Sequence, residues 1–324
     1  MRLFTFQRAQ SVDEAVKAQG AFLAGGTSLV DPMKIEVLNP DKVIDITRIG
    51  LDKIQEEASG LRIGALATNT DVAEHPLVKQ KLPALSEALL SGASPQLRNV
   101  ATVGGNLLQR TRCAYYRDLG TRCNKREPGS GCDAIDGWTR MHAILGGSEQ
   151  CIAAHPSDMC VALAALEAVV RVRSATGSDR DLPIAELHLL PGDHPEREFA
   201  LQPGELITSV FVPATPLAAK SRYIKVRDRQ AYAFALASCA AAVEIDGGVV
   251  KVARFALGGV GTKPWRVPQA EAMLTGQRAD KAAFAKAAAR ALEGAQPRKH
   301  NAFKVELAKR AVVRALSLAA GVAT

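Results

Sequence analysis

Four of the six cysteines stand close together, as Cys113-x9-Cys123-x8-Cys132-x18-Cys151. Thiolates are soft ligands, and four of them in one loop can hold zinc or an iron–sulfur cluster. Zinc ribbons usually carry paired C-x2-C knuckles, and this segment has none. Spacing alone leaves three readings open: an iron–sulfur cluster, a zinc site or plain reduced thiols. The residues around them, 108 to about 151, are rich in Arg, Gly and Cys and keep neither a helical nor a strand period. A long loop of this kind inside a domain is usually functional or disordered. A metal can organise a segment that has little apolar core of its own. Cys160 and Cys239 lie in apolar runs and read as small buried hydrophobes.

Two loops point to a second chemistry. Phe22-Leu23-Ala24-Gly25-Gly26-Thr27-Ser28-Leu29 and Ala101-Thr102-Val103-Gly104-Gly105-Asn106-Leu107 each place a polar residue directly after a diglycine. Adjacent glycines let backbone amides turn inward and approach a diphosphate with no Cβ in the way. One such loop reads as a tight turn. Two in one domain favour a dinucleotide, whose pyrophosphate needs several donors at once. Neither loop follows G-x-G-x-x-G or G-x-x-x-x-G-K-[ST], which argues against a Rossmann fold and a P-loop NTPase. No H-E-x-x-H and no C-x-x-C pair is present. His142, His155, His188, His194 and His300 are scattered and read as structural or solvent-facing.

The elements that must position these residues are short. Leu3–Phe6, Phe22–Ala24, Val43–Ile46 and Leu61–Ile63 read as strands. Ser11 with Glu14 three residues on reads as a capped helix start. A helix ending at Ser86–Leu90 stops at Gly92. His155-Pro156-Ser157-Asp158 opens a helix through Met159–Val170, with Ser157 or Asp158 as cap. Val212-Pro213-Ala214-Thr215-Pro216 reads as a domain connector. Beyond it come strands at Tyr223–Val226, Ala235–Ile245 and Val249–Leu257, with a turn at Asp246-Gly247-Gly248. A final helix, Asn301–Ala319, gathers Leu307, Ala308, Ala311, Val312, Ala315 and Leu316 on one face.

At 324 residues the chain has room for two domains, and its 47% hydrophobic and 23% charged residues are ordinary globular values. No apolar run approaches the ~20 residues of a spanning helix. The start, Met1–Phe6, passes quickly into polar residues and lacks a secretory stretch, so the chain by itself reads as cytoplasmic. The net charge of +8 fits an anionic cofactor or an acidic partner. Aromatics are few and not interleaved with the basic residues, which argues against nucleic-acid binding.

Ala24–Leu29 together with Leu97-Arg98-Asn99-Val100-Ala101-Thr102-Val103-Gly104-Gly105-Asn106-Leu107 resembles the FAD-binding medium subunits of the xanthine dehydrogenase/molybdenum hydroxylase family. His155–Asp158 and Lys225-Val226-Arg227-Asp228-Arg229 sit where that family places further flavin contacts. The resemblance covers nearly the whole chain. It implies an α+β fold: a PCMH-type FAD-binding domain of two α/β subdomains over 1–215, then a smaller CO dehydrogenase flavoprotein C-terminal-like α+β domain over 216–324. It implies that Phe22, Leu23, Ala24, Gly25, Gly26, Thr27, Ser28 and Leu29 hold the FAD pyrophosphate, with Thr102, Gly105 and Asn106 completing the cradle. Asp158 would meet the flavin's polar side, and Lys225 would lie near its ring. From the residues alone, Asp158 reads equally as a helix cap and Lys225 as a solvated strand residue.

The insert from Gln109-Arg110-Thr111-Arg112-Cys113 through Cys123-Asn124-Lys125-Arg126 to Gly129-Ser130-Gly131-Cys132 resembles a narrower branch, the FAD subunits of bacterial heterotrimeric aldehyde oxidoreductases. That branch carries a [4Fe–4S] cluster here, which implies Cys113, Cys123, Cys132 and Cys151 as its ligands, with the nearby arginines offsetting its charge. The implied partners are a molybdenum-cofactor large subunit, which oxidises the aldehyde, and a small subunit with two [2Fe–2S] clusters. Electrons would pass to FAD and on to an external acceptor. A twin-arginine signal on a partner could carry the folded complex to the periplasm. The competing reading is a self-contained FAD-dependent oxidoreductase.

Overall fold

The computed structural model describes residues 1–322. Three strands near the start, β1 (Thr5–Arg8), β2 (Ala21–Leu23) and β3 (Lys42–Asp45), pair in parallel in the order β1-β3-β2. Helix Val12–Lys17 links the first two. Its cap is the expected one, Ser11 Oγ accepting from Glu14 N–H at 3.2 Å. The Glu14 carboxylate reaches back to the N–H of Gln10. Strand β2 then delivers the chain directly into the first diglycine.

A second sheet is antiparallel. It consists of β4 (Ile54–Glu57), β5 (Gly60–Gly64), β6 (Val169–Arg173), β7 (Asp179–Pro183) and β8 (Leu206–Pro213), in the order β4-β5-β8-β6-β7. Its apolar face packs with helices Pro83–Ser91 and Asp158–Ala165 in the largest core of the molecule. The helix expected over Met159–Val170 is shorter. It ends at Ala165, Glu167 turns the chain with φ +55, and Val169 onward enters β6. The reason is local: Val169, Val170 and Val172 are β-branched and suit a pleated surface better than a helix.

The C-terminal part has its own antiparallel sheet, β9 (Arg222–Val226), β10 (Ala237–Asp246), β11 (Val249–Gly258) and β12 (Trp265–Arg266), in the order β12-β11-β10-β9. Gly247 and Gly248, at φ +57 and +82, turn the β10–β11 hairpin. Helices Lys281–Ala291 and Phe303–Ala320 cover one face, with Ala308, Ala311, Val312, Ala315 and Leu316 buried and Leu307 partly so. Helix Asp158–Ala165 has all eight residues buried, because it is sandwiched between the two larger sheets and packs on β10 and β11 as well. Among the described residues no helix is long and apolar enough to cross a membrane.

The cysteine segment is irregular apart from one short helix, Ala114–Arg117, and an isolated Cys123–Cys132 bridge. Its far end docks into the C-terminal part. The Ile144 and Leu145 amides donate to Val260 O at 2.8 and 3.0 Å, and both side chains join the C-terminal core. The fully buried Lys304 donates Nζ hydrogens to His142 O at 2.9 Å and Gly259 O at 2.8 Å.

Candidate cofactor and metal sites

The two diglycine loops meet. A Cβ on Gly25 would lie 1.6 Å from Val100 O, so only glycine allows the first loop to press on the backbone leading into the second. Gly26 turns the chain at φ +77. Ser28 Oγ donates to Gly105 O at 3.2 Å and ties the loops again. Between these anchors the backbone N–H groups of Ala24, Gly25, Gly26, Thr27, Ser28 and Leu29 have no acceptor among the described residues. All six residues are half-buried. Backbone donors away from bulk water are nearly always paired in a folded protein. Six consecutive free donors on half-buried residues leave this loop able to receive acceptor atoms from outside the chain.

The second loop is built differently from the first. Ala101 does not lead from a strand; Thr102 caps a short helix, Val103–Leu107, by accepting from Gly105 N–H at 3.3 Å. The amides of Val103, Gly104 and Asn106 are bonded to Ala67 O, Ala65 O and Thr102 O. This loop therefore offers side chains rather than free amides. Asn106 Oδ1 accepts from Ser157 Oγ at 2.6 Å, which links the loop to the start of helix Asp158–Ala165.

Ser157, not Asp158, is the cap of that helix: its Oγ accepts from Cys160 N–H at 3.1 Å. Asp158 is free for other work. Its Oδ2 accepts from Lys225 Nζ at 2.7 Å and its Oδ1 from the Tyr223 hydroxyl at 2.5 Å. Lys225 is not a solvated strand residue; its side chain is 3% exposed and also donates to Ser91 O. Burial next to the Asp158 carboxylate holds the Tyr223 phenol well above its usual range. The sequence reading missed Tyr223 as a site residue, although it stands two positions before Lys225 and so on the same face of β9.

Asp158 and Ser157 line a pocket of about 210 Å³. Cys113, His142 and His155 form its wall toward the cysteine segment, and Phe234 and Gly259 its wall toward the C-terminal part. The pocket thus sits where the two domains and the cysteine segment converge. His142 Nε2 is 3.1 Å from Cys113 Sγ, a contact that the scattered-histidine reading did not anticipate.

All six thiols are free. Burial pushes Cys113 up to about 12 and Cys151 up to about 11, and raises Cys132 as well. The four thiols also feel one another: Cys123 and Cys151 raise Cys113, and Cys132 and Cys123 raise Cys151. Cys123 and Cys132 face each other across an isolated bridge, and the charges of Cys123 and Cys151 act on Cys113, so the segment brings its thiols into one neighbourhood. The nearby cations are largely committed elsewhere. Arg112 and Arg117 pair with Asp31, Arg122 with Asp133 and Arg140 with Asp228, while Arg126 donates to backbone carbonyls. Their main work is to fasten the insert. Lys125, paired with Glu198 at 3.1 Å, is the cation that favours the Cys151 thiolate. Cys160 and Cys239 are buried, one in a helix and one in β10.

Fold and sites together define a cofactor-binding subunit of redox type. Residues 2–215 match the family described as FAD binding domain in molybdopterin dehydrogenase, and residues 222–319 match the CO dehydrogenase flavoprotein C-terminal domain. The chain belongs to the FAD-binding subunits of the molybdenum hydroxylase family, a family of oxidoreductases. It is 48% identical over 325 residues to the aldehyde oxidoreductase FAD-binding subunit PaoB of Escherichia coli, covering 98% of each chain. It is 30% identical to the glyceraldehyde dehydrogenase medium chain of Sulfolobus acidocaldarius, over 85% of this chain and 82% of that one. Among solved structures, carbon monoxide dehydrogenase from Hydrogenophaga pseudoflava aligns with a TM-score of 0.77 at 28% identity, over 99% of this chain and 98% of that one.

Proposed function

We propose that this chain is the flavin-carrying electron-transfer subunit of a molybdenum-dependent aldehyde-oxidising complex. The observation that carries the reading is the run of six unpartnered amides from Ala24 to Leu29, in a chain similar over its length to an aldehyde oxidoreductase FAD-binding subunit. These amides, following Phe22 and Leu23, would hold the FAD pyrophosphate. Thr102 and Asn106 flank them with side-chain polar groups, and Gly105, whose carbonyl accepts from Ser28 Oγ, completes the cradle with its backbone. Asp158 fixes Lys225 and Tyr223 at the domain junction, and Ser157 fixes Asn106. Cys113, Cys123, Cys132 and Cys151 would hold a [4Fe–4S] cluster, to which an all-thiol donor set is suited. When bound, FAD supplies one- and two-electron chemistry and the cluster one-electron chemistry. The protein's own part is to keep both groups in one converging region and away from water.

Nothing in these sites oxidises an aldehyde, so the reading requires a molybdenum-cofactor large subunit, a [2Fe–2S] small subunit and an external electron acceptor. The final compartment would follow any export signal on a partner. Co-expression with the partner subunits tests the whole. The isolated chain is expected to carry flavin, iron and sulfide but no aldehyde activity, and the assembled complex to turn over. Aldehyde turnover by the isolated chain without molybdenum, or a colourless chain from iron- and flavin-replete cells, would overturn the proposal.

A further inference from the structure

One buried cluster runs inward from the wall of the Asp158 pocket, with His155 as its outermost member. His155 stands in the segment before helix Asp158–Ala165, Cys160 in its first turn, and His188 just after the short helix Ile184–Leu187. One ligand atom from each lies within 4.8 Å of the others. Cys160 Sγ is 4.0 Å from His188 Nε2, and the two imidazoles meet edge-on with ring centres 4.4 Å apart. His188 is 3% exposed and Cys160 is fully buried. His155 Nε2 and His188 Nδ1 are shielded from solvent and have no hydrogen-bond partner. An unpaired buried polar atom costs about 1–3 kcal/mol. Two of them on facing rings beside a thiol are poorly explained as packing.

We infer that His155, Cys160 and His188 form a mononuclear site for a divalent cation of the zinc type, with the carbonyl oxygen of Leu107 as a fourth donor. Leu107 O now accepts a hydrogen bond from His188 Nε2 at 2.9 Å; in the site that bond is exchanged for coordination of both atoms to one ion, with the ring proton moved to Nδ1. Nitrogen and thiolate donors select zinc or cobalt(II) over magnesium or calcium. In a tetrahedral zinc site, bonds of about 2.0 and 2.3 Å put N and S roughly 3.5 Å apart, so the observed 4.0 Å contact needs to close by about half an ångström. Binding displaces the Cys160 thiol proton to solvent, and both imidazoles coordinate in neutral form. Burial favours that form, bringing His188 down to about 4 and His155 well below its ordinary value. Four charged groups act on these residues. Lys125 is paired with Glu198, Asp158 with Lys225, and Lys263 is bonded to Ala185 O. Such a site would clamp the segment that runs from Cys151 to Asp158 onto the loop carrying His188. It uses none of the four thiols of the cysteine segment as ligands.

Cobalt(II) tests this on the full-length chain with its iron and flavin in place, after loosely held metal has been removed by chelation. One equivalent of cobalt is expected to bind, with a thiolate-to-cobalt charge-transfer band. Cys160→Ala should lose that equivalent and the band while keeping iron, sulfide and flavin. His188→Gln should weaken binding at least tenfold, and it carries the test if Cys160→Ala does not fold. Zinc should raise the unfolding temperature of the parent chain and of Cys113→Ser, but not of Cys160→Ala. Absence of a bound equivalent, equal binding by Cys160→Ala, or loss of the equivalent in Cys113→Ser would each overturn the inference.

Discussion

Asp158 neutralises a lysine that has almost no access to water, and the pair stands or falls together. Removing one partner of a buried ion pair leaves an uncompensated charge and typically costs about 3–5 kcal/mol. Asp158→Asn is therefore expected to lower the unfolding free energy by that amount. Adding Lys225→Met to it should restore a good part, and denaturant titration of the single and double variants reads the coupling. Additive losses would mean that the 2.7 Å contact carries no pairing energy. Gly25 is decided by sterics instead. Gly25→Ala sets a Cβ 1.6 Å from Val100 O and must separate the two loops, so flavin per chain should fall below about a tenth of the parent value. An unchanged absorption spectrum would remove the first loop from the site. At this scale the sequence was legible where backbone geometry forces a residue type, as at Gly25 and Gly26. It was silent on Tyr223 and His142, because their partners lie 65 and 29 positions away and no local pattern records such meetings.

Elements were readable wherever local periodicity and tertiary packing agree. The Ser11 cap, the Gly247-Gly248 hairpin and the apolar face of helix Phe303–Ala320 are of that kind. The Met159–Val170 run was read as one helix, because a mostly apolar stretch looks alike as buried helix or buried strand; the break came at Glu167. The cysteine segment is an element only in the sense that something must organise it. Burial pushes Cys113 up to about 12 and Cys151 up to about 11 and raises Cys132, so binding metal through them must release protons. Iron retention is accordingly expected to weaken as pH falls from 8 to 6, measured as iron and sulfide left after dialysis at each pH. Flat retention would count against thiolate ligation. Cys151→Ser should lose most of the iron and open the 108–151 region to proteases while leaving the β10–β11 hairpin protected. His142 is 3.1 Å from Cys113 Sγ; if Cys113 ligates the proposed cluster, His142 could only donate to its thiolate, and such a bond would favour the more negative reduced state. His142→Phe should shift the cluster midpoint potential downward in a spectroscopic redox titration.

The molecule as a whole is held together by contacts that cross the domain boundary. The Pro-rich stretch at 212–216 reads as a domain connector, yet nothing in Ile144-Leu145 announced that the insert would enter the C-terminal core. Lys304 seals that junction through His142 O and Gly259 O. Burial, aided by the Arg140 charge, brings its ammonium down from 10.5 to about 7. The unfolded chain then binds more protons than the folded one between about pH 7 and 10.5, so the Lys304 contribution to stability grows as pH rises through that window. His142, brought down to about 4, does not titrate there. Lys304→Met removes the titration but orphans two carbonyls, at about 1–3 kcal/mol. Its deficit against the parent should be small near pH 7, where the parent still carries a buried ammonium, and should widen by pH 9. Denaturant unfolding of both proteins at pH 7, 8 and 9 measures the gap. A deficit independent of pH would show that Lys304 keeps its proton throughout and that the junction is held by a buried charge rather than by a neutral amine.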